Sequence, residues 1–226
     1  MKKLIKHLKS EWYKYGIETL VVVVGIQMAF ALNNWNEQRK IYKQEIELQV
    51  KLNLNSNIKA FNQNINEQKD ITMSIDLILD HLENKKPYND SLPFHFRKLM
   101  HLEQFTVSTS AYQRLKSSGF DIIQSESLRI QIIQLFETTY PRFVNSIKDI
   151  ALQRFGVLQG LFDKYFRAIS QYETVPNNYC GLQNNQEFIN WIYNRRAWKS
   201  ALIGFNQELI DQTDELIINV NKSLGD

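Results

Sequence analysis

The chain from Thr19 to Asn36 carries no charge, and it holds the run TLVVVVGIQMAFAL before closing on Asn33-Asn34-Trp35-Asn36. Counted from Tyr15 to Trp35 the segment is 21 residues long. At about 1.5 Å of rise per residue, a helix of that length covers roughly the 30 Å hydrocarbon thickness of a bilayer. Its ends suit the interface: Trp12, Tyr13 and Tyr15 on one side and Trp35 on the other are amphipathic rings that favour the headgroup level, and Lys9 and Lys14 can extend outward along their stems. The sequence therefore predicts a transmembrane helix with Trp12, Tyr15 and Trp35 as interfacial anchors and the lipid bilayer as its first partner.

Two polar residues modify that reading. Glu18 lies near enough to one end to reach the headgroups, whereas Gln27 sits near the middle and favours a hydrogen-bonding partner helix. Gly25, Ala29 and Asn33 recur four apart on one face, so Gly25, Gln27, Ala29 and Asn33 are the candidate contacts for helix pairing in the membrane. Small residues at this spacing also arise by chance in apolar helices. A competing reading is a cleaved signal peptide, with Lys2, Lys3, Lys6 and Lys9 as its basic region and Ala29-Phe30-Ala31 as an A-x-A site. That would make the protein a secreted helical one after cleavage near Ala31. Against it stand Glu11 in a long leading region and the lack of any Gly or Pro between Ile26 and Pro87.

Charge separates the tail from the rest. The formal net charge is +3, but residues 1–14 hold five Lys against one Glu, which leaves the remainder close to neutral. A folded domain without a basic stripe is a poor nucleic-acid binder, and the basic tail suits anionic lipid instead. The Lys and Arg bias across the segment is slight: the five lysines before it face Arg39, Lys40, Lys43 and Lys51 after it. It favours a cytoplasmic N-terminus in a single-pass protein of the cytoplasmic membrane, with the helical domain outside. The single cysteine, Cys180, excludes an internal disulfide and any multi-cysteine zinc site.

The expected organisation is a basic membrane-flanking tail at residues 1–14, a transmembrane helix at 15–35 and one helical-bundle domain at 36–226, an all-α chain in which the membrane helix continues into a long helix. From Trp35 to about Lys69, Ile46, Val50, Leu54, Ile58, Phe61 and Ile65 recur at steps of four or three, a buried helical stripe. A second helix is expected over 70–83 with Ile71, Ile75, Ile78, Leu79 and Leu82 inward, ending before Pro87, and another near 94–103. Ser110 with Gln113 three residues on has the form of a capping box, and Gly119 stands where a helix C-terminus calls for positive φ. Ser125 caps a helix over 126–138, and Pro141 fits the first turn of a further one, expected in the core, carrying Phe143, Ile147, Leu152, Phe155, Leu158 and Phe162. A break at 176–181 precedes a long C-terminal helix marked by Phe188, Trp191, Trp198, Leu202, Leu209 and Val220. No strand is expected, because β-branched alternation is absent outside the apolar run.

Chemistry is sparse. His95 and His101, six residues apart, would lie about 240° apart around a helix and cannot share a metal from one face. No histidine has Glu three residues before it, which removes the di-iron bundle. The set Glu208, Asp211, Asp214 and Glu215 reads as a solvated helix face. No P-loop, EF-hand, dinucleotide fingerprint or G-x-S-x-G elbow occurs. No catalytic, cofactor-binding or metal-binding residue is assigned, no cofactor is expected, and the chain is not read as an enzyme. The segment around Tyr112, Leu115, Lys116 and Gly119 is a candidate docking surface, since a short capped helix with a tight turn presents side chains rigidly; the plainer reading makes Tyr112 and Leu115 core and Gly119 a cap.

Two stretches, YGIETLVVVVGIQMAFALNNWNEQRK at 15–40 and STSAYQRLKSSGFDIIQSESLRIQIIQLFETTY at 108–140, together resemble an uncharacterised bacterial membrane-protein family, common in the Bacteroidetes. Its members have an apolar helix ending in Asn-Asn-Trp-Asn-Glu and a Tyr-x-x-Leu-Lys-x-Ser-Gly segment. The resemblance implies an anchored helical protein of a bacterial envelope and brings no reaction. Gln27 and Phe30 depart from the aliphatic residues expected there. The leading expectation is thus a non-enzymatic, membrane-anchored scaffold with a protein partner or a second copy of itself. The alternative is an extracytoplasmic ligand or stress sensor that signals through a partner.

Overall fold

The computed structural model describes residues 2–102 and 104–224, with the backbone alone at residues 2–11, 15, 153, 155 and 158. The expected ring of Tyr15, the core positions Phe155 and Leu158, and Glu103 fall outside the described side chains. The chain forms two compact units, Met1–Leu48 and Gln49–Asp226.

One helix, α1 (Lys2–Glu83), runs through the apolar segment and on to its C-cap. It corrects the expected division at Lys69-Asp70: neither residue is a breaker, and the inward positions simply continue with Ile71, Ile75, Ile78 and Leu82. In the first unit every described side chain from Trp12 to Lys40 is exposed. This helix is long and apolar enough to cross a membrane, by length and composition.

The second unit is an all-α body. Beyond its part of α1 it comprises α2 (Leu92–Lys98), α3 (Ser110–Ser118), a 3-10 turn (Phe120–Ile122), α4 (Glu126–Ile133), a π-helical turn (Gln134–Thr139), α5 (Tyr140–Tyr165), α6 (Tyr179–Leu182) and α7 (Gln186–Leu224). Val50, Leu54, Phe61 and Ile65 of the expected stripe are buried, as are Phe188, Ile192, Leu202, Leu209 and Val220 on α7. One cluster joins Ile75, Ile78 and Leu82 of α1 to Phe96 of α2, Phe162 of α5 and Phe188 of α7.

Four further expectations are corrected. The helix near 94–103 is the shorter α2, and Leu99 to His101 close it with bonds to carbonyls three residues back. Pro141 does not start a separate helix: α4 passes through the π turn directly into α5. A proline lacks the amide proton and crowds the carbonyl four residues before it, and one widened turn relieves both. Leu152, expected inside, is 65% exposed. Finally, α5 stops at Tyr165 and the chain enters a hairpin of β1 (Phe166–Ala168) and β2 (Thr174–Pro176), paired antiparallel with Phe166 opposite Pro176. Strands of three residues are too short to show alternation.

Candidate functional site

In α1 the residues Gly25, Gln27, Ala29 and Asn33 are all exposed. Gly25, Ala29 and Asn33 share a face, and no atom beyond its own stretch of helix lies within 4 Å of where a Cβ on Gly25 would sit. Gln27, two residues from Gly25, projects about 200° away from it at about 100° per residue, so helix geometry does not gather the four onto one surface. Trp12 and Trp35 are exposed, and the Arg39 guanidinium lies 5.5 Å from the Trp35 ring centre.

The second candidate segment is held by asparagines that α1 presents at its 53, 57 and 64 positions. Asn57 is buried and grips Ser108 twice: its Oδ1 accepts from the Ser108 amide at 2.7 Å and its Nδ2 donates to the Ser108 carbonyl at 3.1 Å. The Asn53 Oδ1 accepts from the Ala111 amide at 2.9 Å, and Asn64 Nδ2 donates to the Gln104 carbonyl at 3.4 Å. The expected capping box at Ser110 and Gln113 does not form. Ser110 is the first helical residue, Thr109 makes no side-chain cap bond, and the free amide at Ala111 is satisfied by Asn53 from another helix. Asparagines at steps of four and seven mark a polar stripe in the sequence, and the segment it holds lies too far along the chain for that spacing to name.

That grip places Tyr112 and Leu115 in the core, at 2% and 0% exposure. The Tyr112 ring stacks on Phe136 of the π turn at 4.8 Å and 3°. Lys116 remains on the surface and meets Glu137, on the same turn, at 2.6 Å. Gly119 has φ of +89°, the positive value expected at this helix end. Of the four residues, then, Lys116 and Gly119 face outward or sit at the turn, and two fill the interior. Lys116 first, and Tyr112 second, hold the Glu137 carboxyl below its ordinary range, while burial and then Glu137 push the Tyr112 phenol up.

The π turn also aims Tyr140 inward. Its hydroxyl lies 2.8 Å from Thr213 Oγ1, and Thr213 donates its own proton to the Leu209 carbonyl at 2.6 Å, so Tyr140 is the donor to Thr213. Burial raises the Tyr140 phenol to about 12, partly offset by Thr213 and Asn57.

A groove of about 890 Å³ opens between α1, α2, the 100–106 stretch and the hairpin tip, with Asn64, Glu67, Asp70, Phe94, Lys98 and Tyr172 among its walls. Lys98 pairs with Asp70 at 2.6 Å and lies 4.5 Å from the Phe94 ring centre, while His101 Nε2 is 4.0 Å from Glu67. Arg97, on the same wall, donates through its Nε to the Gln171 carbonyl at 3.0 Å. His95 Nδ1 contacts Ser74 Oγ at 3.0 Å, and burial, then Lys98, lower its pKa. Among the described residues no three of His, Cys, Asp and Glu converge as a metal site.

The model of a family described as "Family of unknown function (DUF6090)" matches residues 18–193, from the start of the apolar run into α7. No curated protein and no solved structure matches the chain.

Proposed function

We propose, for a chain that belongs to the DUF6090 family of unknown function, a membrane-anchored helical interaction module of a bacterial envelope, non-enzymatic, single-pass in the cytoplasmic membrane, with its N-terminus inside and its helical body outside. The observation that carries this reading is the apolar run itself. Ile17, Leu20, Ile26, Phe30 and Leu32 are between 51% and 72% exposed. Burying one such side chain is worth about 1.5–3 kcal/mol, so leaving the whole run in water would be strongly unfavourable, and lipid is the apolar surface that fits it. In the groove Lys98 pairs with Asp70 and Arg97 bonds the Gln171 carbonyl, and side chains engaged within the chain in this way favour a binding over a catalytic role.

A second copy is the partner that the helix pattern favours. Gln27, Asn34, Ile41 and Leu48 are all exposed and follow one another at seven-residue steps, one row of a heptad that keeps them on a single stripe of the helix. The bilayer would hold two copies parallel, and amides at two seam positions would fix their register. A ligand-responsive role through a partner is the second reading, favoured by the groove beside α2.

Cys180, exposed and the single cysteine of the chain, reports the topology without further engineering. In cells with a permeabilised outer layer, a membrane-impermeant maleimide should label Cys180 on a full-length protein that resists alkaline extraction. Unlabelled membrane protein would invert the orientation, and a soluble product shortened near Ala31 would make the protein secreted. In a Cys180→Ser background, Ile41→Cys should cross-link into dimers and Arg39→Cys, about 160° around the helix, should not; equal yields would remove the seam.

A further inference from the structure

Where α1 leaves the apolar run it presents a concentrated set of donors. Trp35, 58% exposed, carries the Arg39 guanidinium 5.5 Å from its ring centre, one turn further along the helix. A cation beside an indole face is attracted by the ring quadrupole, so this guanidinium is kept near the ring rather than left to sweep the surface. Asn36, Arg39 and Lys40 stand at steps of three and four, which gathers an amide, a guanidinium and an ammonium onto one face of the helix. All three side chains are exposed, and none makes a hydrogen bond or an ion pair among the described residues.

Two positive charges are therefore unanswered on this turn. Glu37 is the single acidic residue between Glu18 and Glu45, and it pairs with neither Arg39 nor Lys40. Lys43, the next cation along, already meets Glu47 at 3.6 Å. At about 1.5 Å of rise per residue, Arg39 and Lys40 lie about 6–8 Å beyond Trp35. Trp rings favour the interface between hydrocarbon and water, so with Trp35 at that level the two cations stand among the lipid headgroups. A guanidinium fork, an ammonium and an amide donor together match the free oxygens of a phosphate. A zwitterionic headgroup brings its own cation to that phosphate, whereas an anionic one leaves the charge for the protein to answer.

From these features we propose that Asn36, Arg39 and Lys40 form a binding site for the phosphate diester of an anionic phospholipid, with Trp35 holding the guanidinium at headgroup depth. The inference rests on the membrane reading and deepens it by naming the lipid. It is compatible with pairing, because the three residues lie about 100–160° around the helix from Ile41, and a second copy along the Ile41 stripe would leave them open to lipid.

The test uses the full-length protein carrying 5-fluorotryptophan in nanodiscs, with the Trp35 fluorine resonance assigned by Trp35→Phe. The probe is phosphatidylglycerol, which replaces phosphatidylcholine stepwise at constant total lipid. The Trp35 resonance should move and then saturate. One basic residue near an anionic surface strengthens binding about fivefold. The double variant Arg39→Gln with Lys40→Gln should therefore need a phosphatidylglycerol fraction at least tenfold higher for half of that movement. The same variant should leave the Trp12 resonance responding as in the parent, and both changes are at exposed positions, so the melting temperature should stay in place. A Trp35 resonance that never saturates, or that moves alike in the double variant, would overturn the site. So would sn-glycerol 3-phosphate carrying Trp35 to the same end point in pure phosphatidylcholine discs, which would make a soluble phosphate ester the ligand. A chain that fails to enter the discs would overturn the membrane anchor and the site with it, whereas one that enters them with Trp35 unmoved would overturn the lipid site alone.

Discussion

At the scale of the residue, the second unit depends on a few polar side chains that leave their own helix to satisfy another segment. Asn57 is the clearest. Replacing it with Ala removes both bonds to Ser108 and leaves a half-buried amide and carbonyl without partners, at a cost of about 2–3 kcal/mol, whereas Tyr140→Phe removes one donor and should cost about 1 kcal/mol. Both residues belong to one network, so the double variant should lose less than the sum of the singles in a denaturant titration; strict additivity would show that they act apart. His95 makes a different demand. Burial and Lys98 depress its pKa below the ordinary 6.5, against a smaller opposing effect of Asp70, with His81 adding to the depression. The unfolded chain therefore binds the proton more readily, so the stabilisation by neutral His95 is complete above pH 6.5 and declines as the pH falls below it. Melting curves of His95→Asn and the parent should run parallel above pH 6.5 and diverge below, with the variant losing less. Curves that stay parallel on acidification would contradict the assignment.

At the scale of the element, legibility follows whether a signal is local. Gly119 at a helix end and Ser125 as an N-cap, accepting from the Leu128 amide at 3.2 Å, could be read from neighbouring residues because the partner lies three or four positions away. The caps that come from distant helices could not. Asn53 satisfies the start of α3, and Gln183 Nε2 donates to the His81 and Lys86 carbonyls at the end of α1, at 3.3 Å and 2.8 Å. There Lys85, at φ of +49°, takes the left-handed position usually held by glycine, and its ammonium reaches the Gln183 carbonyl and Asn184. The π turn before Pro141 was hidden for the same reason: a proline marks strain, and only packing of Phe136 and Tyr140 decides whether the helix stops or widens. Glycine substitution separates the two kinds of position. Gly119→Ala should destabilise by about 1–3 kcal/mol, because its backbone at φ +89° and ψ +135° suits no L side chain, although no neighbour would touch the new methyl. Gly204→Ala, inside α7 and equally open, should stabilise by about 0.5–1 kcal/mol. Chemical denaturation reads both, and a shared sign would show that local backbone preference is not what distinguishes them.

At the scale of the whole molecule, the coarse plan was present in the spacing of apolar residues. Long helices at both ends and a single uncharged run set the all-α class, since Ile75, Ile78, Leu82, Phe188 and Ile192 mark their own buried faces. The candidate segment was less legible, for Tyr112 and Leu115 turn inward where Asn53 and Asn57, more than fifty positions back in the chain, hold its backbone, and no periodicity records a contact at that distance. The same exposure that suits the apolar run to a membrane also predicts how little it contributes to folding. No described side chain from Trp12 to Lys40 is buried, whereas Val50, Leu54 and Phe61 just beyond are at 1% exposure or less. A chain beginning at Ile41 retains every core residue of the second unit, so it should be extractable without detergent and unfold in one cooperative transition. Its melting temperature should lie within about 2 °C of that of the full-length protein, since only a stability change near 1 kcal/mol would move a domain of this size further. A large drop would mean that residues 1–40 supply contacts to the fold, and the exposed run would then have to be covered by protein rather than by lipid.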